Sequence, residues 1–234
     1  MSFSVLKSRR QVLELGTAIG LTTAGAFGSL MPERAFAQAA TQVGPPSSGK
    51  VPTMEELLAP QALPDIWQGS ADAPVTMIEY ASMTCPHCAA FAHDTFPALK
   101  SKYIDSGKVH FVLREFPFDP FATAAFMLAR CVGPDKRDAM VELLFAQQKN
   151  WAYVDKPLQG LTTVVKQTGM GQDQFNACLN DKNLYGQVNQ VRDMAAHQFG
   201  VDATPTFFVN GKKVEGEMSI ADLDNLLQPL LPKG

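Results

Sequence analysis

The chain has little charge bias, few cysteines and no internal repeat, and each shortage removes a class of function. Twenty Lys and Arg stand against 23 Asp and Glu, a formal net charge of −3, so there is no basic footprint for nucleic acid and no strong acidic field. No nucleic-acid partner is expected. Four cysteines in 234 residues are too few for a small disulfide scaffold. One close pair exists, Cys85 and Cys88, and no second close pair stands by to complete a tetrahedral zinc site; Cys131, Cys178 and His93 could complete it only from inside helical patterns. Beyond the N-terminal region no stretch approaches transmembrane length.

What is present suits one sizeable domain with additions, since 46% of the residues are hydrophobic. The first 37 residues read as an address. Arg9-Arg10 precede a weakly apolar run from about Leu15 to Met31 and the small-x-small pattern Ala35-Phe36-Ala37, so an export signal over 1–37 and a mature start near Gln38 are expected. The paired arginines resemble a twin-arginine signal, with ordinary Sec export as the alternative and an uncleaved anchor as a third reading. Export removes four cations and two acids, which leaves a mature charge of −5 by the same count. Residues 38–62 then read as a flexible linker, with Gly44-Pro45-Pro46-Ser47-Ser48-Gly49, and a short N-terminal segment.

The domain proper is expected over 63–234. Val75–Tyr80 is an apolar run of the kind buried on both faces of a sheet, and Glu79 is its one acid. A helix follows to about Tyr103, then a strand from Val109 to Leu113. From about 118 to 199 every pattern is helical, opening with the N-cap and first-turn pair Asp119-Pro120. Strand signals return at Thr206–Val209, Asn210-Gly211 marks a hairpin with Val214 on its return strand, and Ser219 with Asp222 starts a last helix.

Chemistry concentrates in Cys85-Pro86-His87-Cys88. Proline is favoured at the first helical position, so Cys85 becomes the N-cap, where a sulfur meets backbone N–H groups and the positive end of the helix. Those donors favour the thiolate, and a neighbouring His87 would favour it further. The spacing returns Cys88 over the same turn, able to close a disulfide or to resolve a mixed one at Cys85. Glu79, six residues upstream on a buried strand, is expected to neutralise or to pass a proton to and from Cys88; a bland alternative is an acid satisfied by lysine or water. The chemistry needs no cofactor and no metal.

With these residues, an all-helical insertion, and Thr204-Pro205-Thr206-Phe207-Phe208-Val209-Asn210-Gly211 in the expected order, the chain over about 63–231 resembles the DsbA family of periplasmic thiol oxidases. The resemblance implies an α/β thioredoxin fold with a helical domain inserted between the β-α-β and ββα halves. It implies Cys85 as nucleophile, Cys88 as its partner, His87 as thiolate stabiliser, Glu79 as buried acid and Pro205 as a cis-proline whose bond exposes the Thr204 backbone to substrate. Threonine at 204, where the best-known oxidases often carry valine, is common among the isomerases, so the direction of exchange stays open. An exported, monomeric, periplasmic oxidase is the leading expectation; a short N-terminal segment leaves room for oligomers. Its partners would be reduced or unfolded exported proteins and a membrane or periplasmic redox partner. The alternatives are a disulfide isomerase or reductase, and a redox-inert binding or chaperone module. Cys131 and Cys178 are expected to form a structural disulfide, whose loop of about 48 residues is worth on the order of 3–4 kcal/mol, with two buried free thiols as the alternative.

Overall fold

A computed structural model describes residues 51–232. The expected export signal, and the linker up to residue 50, lie outside the described residues.

Five strands form one mixed sheet in the order β1-β3-β2-β4-β5. They are β1 Trp67–Gln68, β2 Val75–Ala81, β3 Val109–Glu115, β4 Thr206–Val209 and β5 Lys212–Glu215. β2 and β3 run parallel, and the other three pairings are antiparallel. A parallel neighbour needs a crossover, which the helical segment beginning with α2 (Pro86–Ala90) provides. This is the thioredoxin fold, and the helices that follow β3 are its insertion. Strand β1 is a pair of residues that sequence patterning missed, because so short a strand carries no alternation to detect.

The crossover departs from the single helix expected up to Tyr103. α2 widens into a π-turn at Phe91–Thr95, restarts as α3 (Phe96–Leu99) and widens again at Lys100–Ile104. Pro97 has no N–H to donate and its ring crowds the carbonyl four residues back, so the chain opens a wider turn just before it. This helical segment packs on the face of the sheet that carries Met77 and Glu79: Phe91 lies 4.8 Å from Phe207 and Phe96 lies 5.1 Å from Phe111, between ring centroids. On the opposite face Tyr80 meets Phe116, Phe199 and Phe208. The Asn210-Gly211 hairpin has positive φ at both residues, and the Asn210 side chain accepts from the Thr76 N–H at 2.8 Å, which ties the turn to the start of β2.

The insertion comprises α4 (Pro120–Cys131), α5 (Pro134–Ala146), α6 (Gln148–Trp151), α7 (Pro157–Val165), α8 (Gln172–Leu179) and α9 (Lys182–Gln198). Cys131 at the end of α4 is bonded to Cys178 on α8. Asp119 caps α4 through Oδ1, which accepts from the N–H groups of Phe121 and Ala122. The last helix, α10 (Ile220–Leu227), opens with the capping box of Ser219 and Asp222.

A buried ionic network, unseen in the sequence patterns, joins the insertion to the sheet. Glu115 at the end of β3 accepts from Arg130 of α4 at 2.8 Å and from Arg137 of α5 at 3.1 Å. Arg137 also donates to the Leu113 carbonyl at 2.8 Å. On the other face Arg114 is held by both oxygens of Asp65 and donates to the Tyr80 hydroxyl. Removing one partner of such a pair leaves an uncompensated buried charge and costs about 3–5 kcal/mol, so the network fixes how the insertion sits.

Within the insertion, α6 and α7 approach so closely that a Cβ on Gly160 would lie 2.6 Å from the Trp151 Cα and 2.7 Å from the Asn150 carbonyl oxygen. Both are backbone atoms that cannot rotate away. Gly160→Ala is therefore expected to lower stability by about 1–3 kcal/mol despite alanine's better helix propensity, read as a lower urea midpoint. A midpoint at or above the parent's would show that the two helices part without cost.

Candidate active site

β2 runs out at Ala81, and a turn closed by the Cys85 N–H on the Ser82 carbonyl at 3.0 Å delivers the chain to α2. Cys85 is the N-cap in extended conformation and Pro86 is the first helical residue. Cys85 and Cys88 are both free and both buried, Cys88 fully. The peptide bond between Thr204 and Pro205 is cis, and the Thr204 carbonyl oxygen lies 3.3 Å from the Cys85 sulfur, placed to accept a hydrogen bond from the thiol form.

The two thiols occupy opposite electrostatic environments. Cys85 is pulled from the ordinary thiol value down to about 5. The largest cause is the hydrogen bond from the Cys88 thiol; burial works against it, and Thr204 and the backbone N–H groups of Cys88 and His87 add to it. The sulfur closes no cap hydrogen bond of ordinary geometry, so those N–H groups act as dipoles facing a charge. Burial pushes the Cys88 thiol far up, and the charges on Glu79 and Cys85 push the same way. One sulfur is thus a stable thiolate and the other a firmly held thiol.

Glu79 is 2% exposed and sits on β2 with its carboxyl raised to about 8 by burial; the nearby Arg137 charge lowers it and the Cys85 charge raises it again. The charge that acts on it from nearby is this arginine of the insertion, not the lysine of the bland alternative. His87 departs from the ring-on-sulfur expectation. Its side chain is 69% exposed with Nδ1 3.3 Å from a Glu217 carboxyl oxygen, and the residue reaches Cys85 through its backbone N–H. The structure therefore brings Cys85, Pro86, Cys88, Glu79, Thr204 and Pro205 together, with the His87 ring at the rim. Cys131 and Cys178, spent on each other, are far from joining Cys85 and Cys88 in a zinc site, and no group of three or more candidate metal ligands occurs among the described residues.

Sequence reasoning missed the side chains that hold the turn. Gln148, 4% exposed on α6, donates from its one amide nitrogen to the carbonyls of Met83 and Cys85, each at 2.9 Å. The Tyr153 hydroxyl donates to the Thr84 carbonyl at 2.6 Å, and the Thr84 hydroxyl donates to Asp119 at 2.5 Å. A glutamine in a helical stretch gives no sign of this. The Asp119-Pro120 cap was visible, but its second carboxyl oxygen serves the site.

A family model described as thioredoxin matches residues 61–229. A Rickettsia typhi protein with the provisional name protein-disulfide oxidoreductase is 35% identical over 152 residues, which is 64% of this chain and 56% of that protein. The chain thus spans little more than half the length of the first such relatives. Among solved structures, alpha-DsbA1 from Wolbachia pipientis is 34% identical with a TM-score of 0.69, covering 76% of this chain and 96% of that one. Oxidised BdbD from Bacillus subtilis, 24% identical with a TM-score of 0.63 over 71% of this chain and 92% of its own, shares the fold.

In the reduced protein, thiolate absorbance is expected to rise with a midpoint near pH 5 and to lose that transition in Cys85→Ser, while Cys88 stays protonated through neutral pH. Because the folded value of Cys85 is depressed, its stabilising contribution is complete above the unfolded thiol value and is lost as pH falls through about 5. The reduced form should therefore gain stability relative to the oxidised form as pH rises across that window. A midpoint near the free-thiol value of about 8.5 would contradict the assignment.

Proposed function

We propose that this chain, which belongs to the thioredoxin family as a DsbA-like member, is a thiol oxidase that transfers the Cys85–Cys88 disulfide to reduced proteins. The observation that carries the reading is the placement of the two sulfurs, Cys85 at the cap of α2 beside the cis Thr204-Pro205 bond and Cys88 fully buried behind it, an environment that lowers the first thiol and raises the second. A substrate thiolate attacks Cys85 Sγ, and Cys88 leaves and takes up a proton. A second substrate thiolate then attacks the substrate sulfur of the mixed disulfide, and Cys85 leaves as a thiolate. The substrate loses two electrons and gains a disulfide, and the protein keeps both electrons as a dithiol. A stabilised Cys85 thiolate is a good leaving group, which biases the pair toward giving its disulfide away.

Supporting residues take their roles from position. Glu79 is the proton partner of Cys88, Pro86 starts the helix, and His87 contributes through its N–H and the Glu217 contact at the rim. Pro205 presents the Thr204 backbone beside Cys85, where a substrate strand can pair. The reading extends to export, by a twin-arginine or Sec route, into the periplasm, with a separate partner that reoxidises the dithiol. The pairing of Cys131 with Cys178 supports an oxidising compartment. An isomerase or reductase is the second reading, favoured by Thr204, whose hydroxyl is buried without a partner of ordinary geometry beside the dithiol.

Equilibration with glutathione separates these readings. An oxidase is expected at the oxidising end, on the order of −120 mV, and a thioredoxin-like value of about −270 mV would sink the oxidase direction. Cys85→Ser should abolish exchange; a parent that holds unfolded chains without any exchange, unaffected by this substitution, would instead be a redox-inert chaperone. Because His87 reaches Cys85 through a backbone N–H that alanine retains, His87→Ala is expected to leave the potential nearly unchanged, whereas a markedly less oxidising pair would assign the ring itself a role at the sulfur.

A further inference from the structure

We infer that Arg137, on a helix of the insertion, is the positioning residue that keeps Glu79 able to trade a proton with Cys88. The inference deepens the exchange reading above and rests on it.

The geometry is a chain of short links. Glu79 on β2 lies in register with Leu113 on β3, so the two side chains share one face of the sheet. Arg137 donates from Nη2 to the Leu113 carbonyl and to Glu115, and from Nη1 to Asp138. Its Nε–H, fully buried, has no hydrogen-bond partner among the described residues. Glu79, Leu113 and Arg137 line one small cleft, closed on its other sides largely by Phe91, Phe111 and Phe145. A buried guanidinium with an unspent donor therefore lines the same cleft as a buried carboxyl. The other charged or titratable groups around Glu79 are Cys85 and Cys88 from the start of α2, Asp138 and Glu142 on the α5 wall of the cleft, and Glu115 behind Arg137.

The proton step balances within these groups. When substrate sulfur bonds to Cys85, the Cys85–Cys88 bond breaks and Cys88 leaves as a thiolate; the Glu79 carboxyl gives it a proton and becomes a carboxylate. On reoxidation the carboxylate takes the proton back as Cys88 attacks. Burial alone would lock Glu79 in its protonated form and stop both transfers. The cation of Arg137 stabilises the carboxylate and so keeps the exchange open.

The test uses full-length reduced protein. The protonated-carboxyl infrared band of Glu79, identified by subtracting Glu79→Gln, is titrated against pH, and single-turnover reoxidation by glutathione disulfide is followed over the same range. Arg137→Met is expected to move the Glu79 midpoint upward from about 8 and to slow reoxidation at pH 7 about tenfold or more, while the Cys85 limb near 5 stays in place. Arg137→Lys restores most of the rate, and Arg137→Met adds nothing in a Glu79→Gln background. Arg137→Gln, which removes the charge but keeps an amide donor, is expected to raise the Glu79 midpoint as well, and this arm decides the matter should Arg137→Met fail to fold. Arg137→Lys, which keeps the charge, holds the midpoint near the parent's; a purely structural arginine would not make the shift follow the charge. A Glu79 midpoint that the folded charge-removing variants leave alone overturns the inference. A parent that shows no exchange fails the oxidase reading instead, while the infrared titration still decides the role of Arg137.

Discussion

The negative charge on the Cys85 sulfur depends on how the turn after β2 is held. Three consecutive carbonyls, those of Met83, Thr84 and Cys85, take hydrogen bonds from Gln148 and Tyr153 of the insertion. These bonds fix the chain that carries Cys85 into α2, and the Cys85 carbonyl also accepts the Ala89 N–H at 3.2 Å as the first bond of the helix. With those oxygens occupied from one side, the N–H groups at the start of α2 and the Cys88 thiol are left to face the sulfur from the other. The cap is thus made by the groups that face Cys85 and by the insertion side chains that hold the turn in place.

Two buried acids show how much placement decides. Glu79 on β2 and Glu115 on β3 are each about 1–2% exposed, and burial pushes both carboxyls upward. Glu115 meets Arg130 and Arg137 directly, and their charges overcome burial and hold it below the usual carboxylate range. Glu79 receives only the more distant part of the Arg137 charge and stays near 8. Glu115 is consequently a fixed anion that ties the insertion to the sheet. Glu79, raised to about 8, can change its charge close to neutral pH, which is what the proposed proton exchange with Cys88 requires. One arginine acts on both, bonded to Glu115 and acting on Glu79 through its charge alone.

What could be read from the sequence were features with local causes. Cys85 before Pro86 implies an N-cap because proline tolerates the first helical position, and Asn210-Gly211 implies its turn because both residues accept positive φ. The acid in an apolar strand likewise announced itself at Glu79. What escaped was long-range: Arg137 meets the strand face 58 residues from Glu79, and Gln148 reaches a carbonyl 63 residues back. Neither side chain has a local pattern, since a polar residue on a helix reads as solvated until the fold places it against something. The His87 ring fell between the two cases. Its position beside Cys85 in sequence suggested contact, but the second helical position points it outward to Glu217.

These long-range contacts bear on why a helical block sits between the halves of a small redox fold. The β-α-β unit alone can place two cysteines at a helix start and an acid beneath them. It cannot close the Glu79 cleft, because Arg137, Val141 and Phe145, all on α5, form much of its wall. Nor can it hold the turn carbonyls, because Gln148 and Tyr153 belong to the insertion. Without those walls, water would reach Glu79 and lower its proton affinity toward that of an ordinary carboxyl, leaving it ionised at neutral pH. The insertion therefore helps to build the site: α5 keeps Glu79 buried, and Arg137 supplies a cation that favours its carboxylate, the balance that the proposed proton exchange with Cys88 requires.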